Sequence, residues 1–265
     1  TRHRLNKKTP HAAMSEAVEP IVYYLDPGIP EPVMTALKEG ASWWNQAYEA
    51  AGYKDAFQVK VLPEGADPMD VRYNVINWVH RATRGWSYGS SVVDPRTGEI
   101  IKGHVTLGSL RVRQDYLIAL GLTSPFKDGS TDTTAQQEMA LDRIRQLSAH
   151  EVGHTLGIAH NFAASENNRA SVMDYPHPKI SIKNGKISLE GAYDKGIGAW
   201  DIHAVAYGYQ DFASDVEATE ALAKIIVKGR NEGLSFKSDP DTRSSRHASA
   251  NGHMWENGSN PLDAF

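Results

Sequence analysis

The sequence predicts an α+β protein on three observations: strand-like runs crowd into its first 110 residues, one long proline-free helical stretch follows over about 134–157, and helical or turn-rich segments make up the rest. The first twenty residues are polar and hold Pro10 and Pro20, which reads as a lead-in arm, with order beginning near Ile21. Ile21 to Leu25 is an apolar, β-branched and aromatic run stopped by Asp26-Pro27-Gly28, the pattern of a buried strand and a turn. Val33, Leu37, Ala41, Trp44, Tyr48 and Ala51 then recur at steps of three and four, which predicts an amphipathic helix ending at Gly52. Phe57–Leu62 and Val71–Val79 read as strands around the turn-rich Pro63–Pro68, and Tyr88–Val93 and Glu99–Leu107 flank Asp94-Pro95-Arg96-Thr97-Gly98, the composition of a tight hairpin turn. A polar loop with Pro125, Gly129 and Ser130 leads into the helix over about 134–157. Trp200, Ile202, Val205 and Tyr209 predict a short helix starting near Gly198, and Ser214–Lys228 a further one. Arg230 to Phe265 is polar and aperiodic and reads as loop or as the stub of something longer.

Composition narrows the function. The 265 residues are 40% hydrophobic and 23% charged, with a net charge of -4 and a pI near 6.2, so no basic field for nucleic acid or anionic membrane exists. No apolar run is long enough to span a bilayer, and the opening TRHRLNKKTP lacks the apolar centre of a signal peptide. The absence of cysteine removes disulfides, thiolate zinc sites and a cysteine nucleophile together, leaving histidine and carboxylate as the strong ligands for a transition metal.

Residues 150–160 read H-E-V-G-H-T-L-G-I-A-H. On a helix, residues four apart share a face, so His150 and His154 can direct their imidazoles to one point at zinc–nitrogen distances of about 2.0–2.1 Å. Glu151 is displaced by about 100° from His150, beside the metal and free to act on its water as general base. Gly157 stands where the helix must end and the chain turn back, and His160 follows as the third ligand, leaving a fourth position open for chemistry. H-E-x-x-H alone occurs by chance in roughly 2–3% of chains this long; requiring Gly157 and His160 as well lowers that to roughly one in ten thousand. One zinc per chain is the expected cofactor. The other histidines, at 3, 11, 80, 104, 177, 203, 247 and 253, have no mutual ligand spacing, and His104 and His177 are the two expected nearest the cleft. Asp94 to Glu99 lacks the alternating oxygen ligands of a calcium loop and reads as a turn.

The eleven-residue run resembles the extended zinc signature of the metzincin peptidases, and Ser171-Val172-Met173-Asp174-Tyr175 resembles the methionine turn that lies beneath the zinc histidines in that clan. The resemblance implies Met173 as the turn methionine and Tyr175 as a residue similar to the tyrosine that, in astacins and serralysins, binds zinc and swings away to stabilise the oxyanion. Trp200 to Val205 looks like the helix that closes the lower part of such folds. Asn161 follows the third histidine where astacins carry glutamate. That ending, together with Ser91–Ile100 and Gly191-Ala192-Tyr193-Asp194-Lys195, is similar to a bacterial group of large metzincin-like zinc-dependent peptidases, over most of residues 20–210. The fold so implied is zincin-like: after the arm at 1–20, an upper catalytic subdomain over 21–157 with a twisted, mixed five-stranded sheet and two helices, then a smaller, mostly irregular and helical lower subdomain over 158–265 holding the methionine turn, the C-terminal helices and the tail.

The implied activity is zinc-dependent endopeptidase on protein or peptide substrates, in a chain belonging to a longer polypeptide outside the cytoplasm, whether periplasmic, surface-bound or secreted. Two alternatives share the motif: a zinc-retaining binding module without turnover, against which Glu151 argues, and an amidase or deacylase acting on non-peptide substrates. For substrate, the last strand-like run before the zinc helix, with Gly103, His104, Val105 and Thr106, is expected to offer a free sheet edge to an extended peptide.

Overall fold

The computed structural model describes residues 1–260 and 262, except Arg84, Ala213, Ser244 and His247. In chain order the elements are β1 (Ser15–Glu16), β2 (Ile21–Leu25), α1 (Val33–Ser42), α2 (Trp44–Ala50), β3 (Tyr53–Lys54), β4 (Phe57–Val61), β5 (Asn74–Val79), β6 (Tyr88–Val93), β7 (Ile100–Gly108), α3 (Leu110–Thr123) and α4 (Thr134–Thr155). Then come the small hairpin β8 (Ser181–Lys183) and β9 (Lys186–Ser188), and α5 (Ala199–Tyr209), α6 (Asp215–Asn231) and α7 (Asp239–Thr242). The strand order of the main sheet is β4-β2-β5-β7-β6, parallel except for β6, which runs antiparallel to β7. This is the mixed five-stranded sheet expected of a zincin-like fold.

Alternation along β2 places Ile21, Tyr23 and Leu25 in the core, where they meet α1 and α2 through Leu37, Trp44 and Tyr48. Helix α4 lies against α1, and the indole N–H of Trp44 donates to the Ala149 carbonyl at 2.8 Å, so a buried polar group is satisfied by the helix it supports. The helix expected over 33–51 is interrupted at Trp43 into α1 and α2. Asp94 to Gly98 forms the expected turn: Gly98 N–H donates to the Asp94 carbonyl, and the Asp94 carboxylate holds the guanidinium of Arg96.

Three expectations are corrected. Residues 1–20 are no peripheral arm: His3 and Leu5 are buried, His3 reaches Tyr23 and the Thr155 carbonyl, and β1 pairs with β3. Their polar composition conceals the few side chains that turn inward. The segment after β7 is the helix α3, unrecognised because its apolar residues are spread around its circumference and only Asp115 and Ala119 are buried. Finally, Gly103, His104, Val105 and Thr106 form no free edge. Their strand β7 is paired on one side with β5 and on the other with β6, because the hairpin folds β6 outward to become the border strand.

Candidate metal centre

Helix α4 carries His150, Glu151 and His154 to its C-terminal end, where Leu156 caps it and Gly157 takes a φ of 88°. That left-handed conformation, open to glycine without steric cost, bends the chain back so that His160 returns to face the helix. Side-chain ligand atoms of His150, His154 and His160 all lie within 4.8 Å of one another, and among the described residues they form the one such group of three. Of the other histidines, His3 is a core residue, His247 lies outside the described residues, and neither His104 nor His177 is among the described residues lining the cavity beside the triad.

The outer nitrogen of each ring is committed to an acceptor. His150 Nδ1 donates to the Val172 carbonyl at 2.8 Å, His154 Nδ1 to the Ile158 carbonyl at 3.0 Å, and His160 Nδ1 to Asp239 Oδ2 at 2.6 Å. Carbonyl and carboxylate oxygens cannot donate, so these contacts fix the tautomers and leave each Nε2 as a lone pair directed inward. Burial, and then the neighbouring histidines, hold His150 well below its usual pKa; burial, and then His160, bring His154 down to about 4. His154 Nε2 and His160 Nε2 stand 3.2 Å apart. Two unprotonated nitrogens at that separation repel unless a cation lies between their lone pairs, so the donor set fits a transition metal.

Met173 lies beneath this group and is fully buried. Gly153, the fourth residue of H-E-V-G-H, makes room for it: a Cβ there would run into Met173 Sδ and Trp44 Cζ2. The methionine turn is held by Asp201 of α5, which accepts from Ser171 Oγ at 2.6 Å, from the Val172 N–H at 2.9 Å and from the Gly198 N–H at 2.8 Å. Since the Val172 carbonyl orients His150, Asp201 positions the first ligand through the turn. Asn161, fully buried, ties the same region together: its N–H donates to the Met173 carbonyl, and its side chain accepts from Lys237 N–H and donates to the Ser235 carbonyl.

Glu151 sits beside the triad with its carboxyl pushed up to about 7, chiefly by burial, against the opposing pull of Arg143 and the Gly89 N–H. Tyr175 packs edge-on to His160 at 4.6 Å and stacks on Trp255 at 5.1 Å, while its carbonyl accepts from Trp255 N–H at 2.8 Å. Burial, then the charges of Glu151 and Asp239, raise its phenol pKa. The segment after Arg230 is therefore part of the centre, through Asp239 and Trp255. Sequence reasoning missed Asp239, Trp255, Asn161 and Asp201. The one local signal for Asp239 is Ser238-Asp239-Pro240, the start signature of a short helix.

Comparison with known families matches residues 132–265 to one described as Met-zincin, a span that takes in the three histidines, the methionine turn and the tail. No curated protein and no solved structure matches the chain.

Proposed function

The chain belongs to the Met-zincin family, and on that premise we propose that it is a zinc-dependent endopeptidase, with one zinc held by His150, His154 and His160. The observation that carries the reading is the pairing of three inward lone pairs with a buried carboxyl, Glu151, raised to about 7 in a cavity that His150 and Tyr175 also line. A structural zinc site has no need of that carboxylate, which is the objection to a binding module without turnover.

Zinc, when bound, supplies Lewis acidity at the scissile carbonyl and lowers the pKa of a water. Glu151 accepts the proton of the attacking water and returns it to the leaving amine, a task suited to a group whose pKa lies near neutrality. Tyr175, kept protonated by its raised pKa, donates its phenolic hydrogen to the developing oxyanion of the carbonyl. Val172, Ile158 and Asp239 keep the three imidazoles aimed while charge redistributes. The substrate lies extended along β6, the border strand on the zinc side of the sheet, where main-chain pairing holds a peptide without demanding particular side chains.

The test is a diverse peptide library incubated with the zinc-loaded protein, with Glu151→Gln and His154→Ala. The parent is expected to give a sequence-dependent set of cuts. Glu151→Gln should keep its zinc and lose turnover by several orders of magnitude, and His154→Ala should lose the metal. Stoichiometric zinc in His154→Ala, or parent-like cleavage by Glu151→Gln, would overturn the assignment; hydrolysis of acyl amides but of no peptide would favour an amidase.

A further inference from the structure

A cavity of about 300 Å³ opens beside Glu151, and among the described residues four arginines line it: Arg81, Arg111, Arg143 and Arg243. This is a local reversal in a chain whose net charge is -4. Three of them are engaged at short range, Arg111 with Asp115 at 2.9 Å, Arg243 with Asp239 at 3.0 Å and Arg81 with the Trp86 carbonyl at 3.1 Å. Arg143 differs. It is 3% exposed, it donates to Gln146 Oε1 and lies over the Tyr193 ring at 5.7 Å, and its Nε has no hydrogen-bond partner among the described residues.

A buried guanidinium with an unsatisfied N–H is costly unless something completes it. Burial and the charge of Arg111 work against this cation, and Tyr193, Asp115 and Glu151 offset them only in part. Arg143 lies seven residues before His150 on α4, two turns along nearly the same face and roughly 10 Å along the axis. Arg143 lines the same cavity as His150 and Glu151, so a molecule lying in that cleft could supply the missing acceptor.

We propose that this arginine wall is a carboxylate-binding subsite, so that the protein selects peptides carrying a carboxylate within about four residues of the bond cut. Resting on the peptidase reading, this names its substrate class: acidic peptides, held by Arg143 at the floor and Arg243 at the rim. The carboxylate can be an Asp or Glu side chain or a free chain end. Planar guanidinium donors favour it over the isosteric amide, because they match both of its oxygens and its charge.

The experiment uses the zinc-loaded protein and matched peptides with Glu or Gln, and Asp or Asn, at each position around the scissile bond, each with a free or amidated C-terminus. The carboxylate is expected to raise kcat/KM by about tenfold or more at one position. Arg143→Met should bring that ratio to about one, and Arg243→Gln, at an exposed site where folding is not at risk, should reduce it several-fold. A preference abolished by amidation assigns the chain end as the carboxylate, and one that survives amidation assigns the side chain. Binding of the same pairs to zinc-loaded Glu151→Gln, measured by calorimetry, reads the subsite without turnover. Cleavage with equal rates for acid and amide at every position overturns the subsite and leaves the peptidase reading standing. No cleavage of any peptide, with tighter binding of the carboxylate retained, does the reverse. An unchanged acid preference in both arginine variants overturns the assignment to this wall.

Discussion

Replacing Asp239 tests whether the tail holds the third histidine of the metal centre in place. Asp239 Oδ2 accepts from His160 Nδ1 at 2.6 Å, and the carboxylate also takes an N–H of Arg243 at 3.0 Å. Burial disfavours the Asp239 anion, but its hydrogen bonds with His160 and Arg243 outweigh this and hold its pKa below the usual carboxylate range. A charge-assisted hydrogen bond is worth about 1.5–3 kcal/mol when dry. The Asp239 side chain is 38% exposed, so solvent screening brings the expectation down to about 1–2 kcal/mol, a roughly five- to thirty-fold loss of zinc affinity. Asp239→Ala should show that loss in competition against a chromophoric chelator. Asp239→Asn, which keeps an acceptor oxygen but no charge, should fall between it and the parent. Far-ultraviolet circular dichroism of the metal-free variants checks that the fold is kept. Affinity within twofold of the parent in folded Asp239→Ala would refute the positioning role.

Tyr175→Phe should lower kcat by roughly 10- to 1000-fold with zinc content unchanged, the range for removal of one oxyanion donor; an effect confined to KM would assign Tyr175 to peptide binding alone. Gly153→Ala should cost about 1–3 kcal/mol in a denaturant titration, because its Cβ meets Met173 and Trp44, and parent-like stability would show that the methionine turn has room to move. His3 is brought from 6.5 to about 4, mainly by burial. The unfolded chain therefore takes up this proton first, so the contribution of neutral His3 is complete above pH 6.5 and is lost as the pH falls toward 4, by on the order of 3 kcal/mol. Stability against pH for the zinc-loaded parent and His3→Gln should diverge in that window and nowhere else; parallel curves would refute it.

What the sequence made legible was local. The triad lies within eleven residues on one helix and its exit turn, so period and a single glycine were enough to assemble it. The strands of the main sheet were readable from alternation to within a few residues. Strand order was not, since nothing in the composition of β7 says that β6 folds to its outer side and takes the edge. The helix α3 escaped because no apolar stripe marks it, and the N-terminal segment because its buried residues are isolated among polar ones. Asp239 lies 79 residues beyond His160, and Trp255 is still further from the zinc helix; such partners leave no periodic trace and become visible only once the chain is folded.

The acceptors behind the three imidazoles differ in kind. Val172 and Ile158 present main-chain carbonyls, which every amino acid carries, so random mutation cannot delete those two anchors without moving the backbone. Asp239 presents a side chain, and one nucleotide change can alter it. Inherited variation in metal retention should thus accumulate at the third histidine's support, while the first two drift little. A laboratory selection for tighter or looser metal binding would find its accessible steps in the tail, in a segment whose composition gives no hint of such leverage.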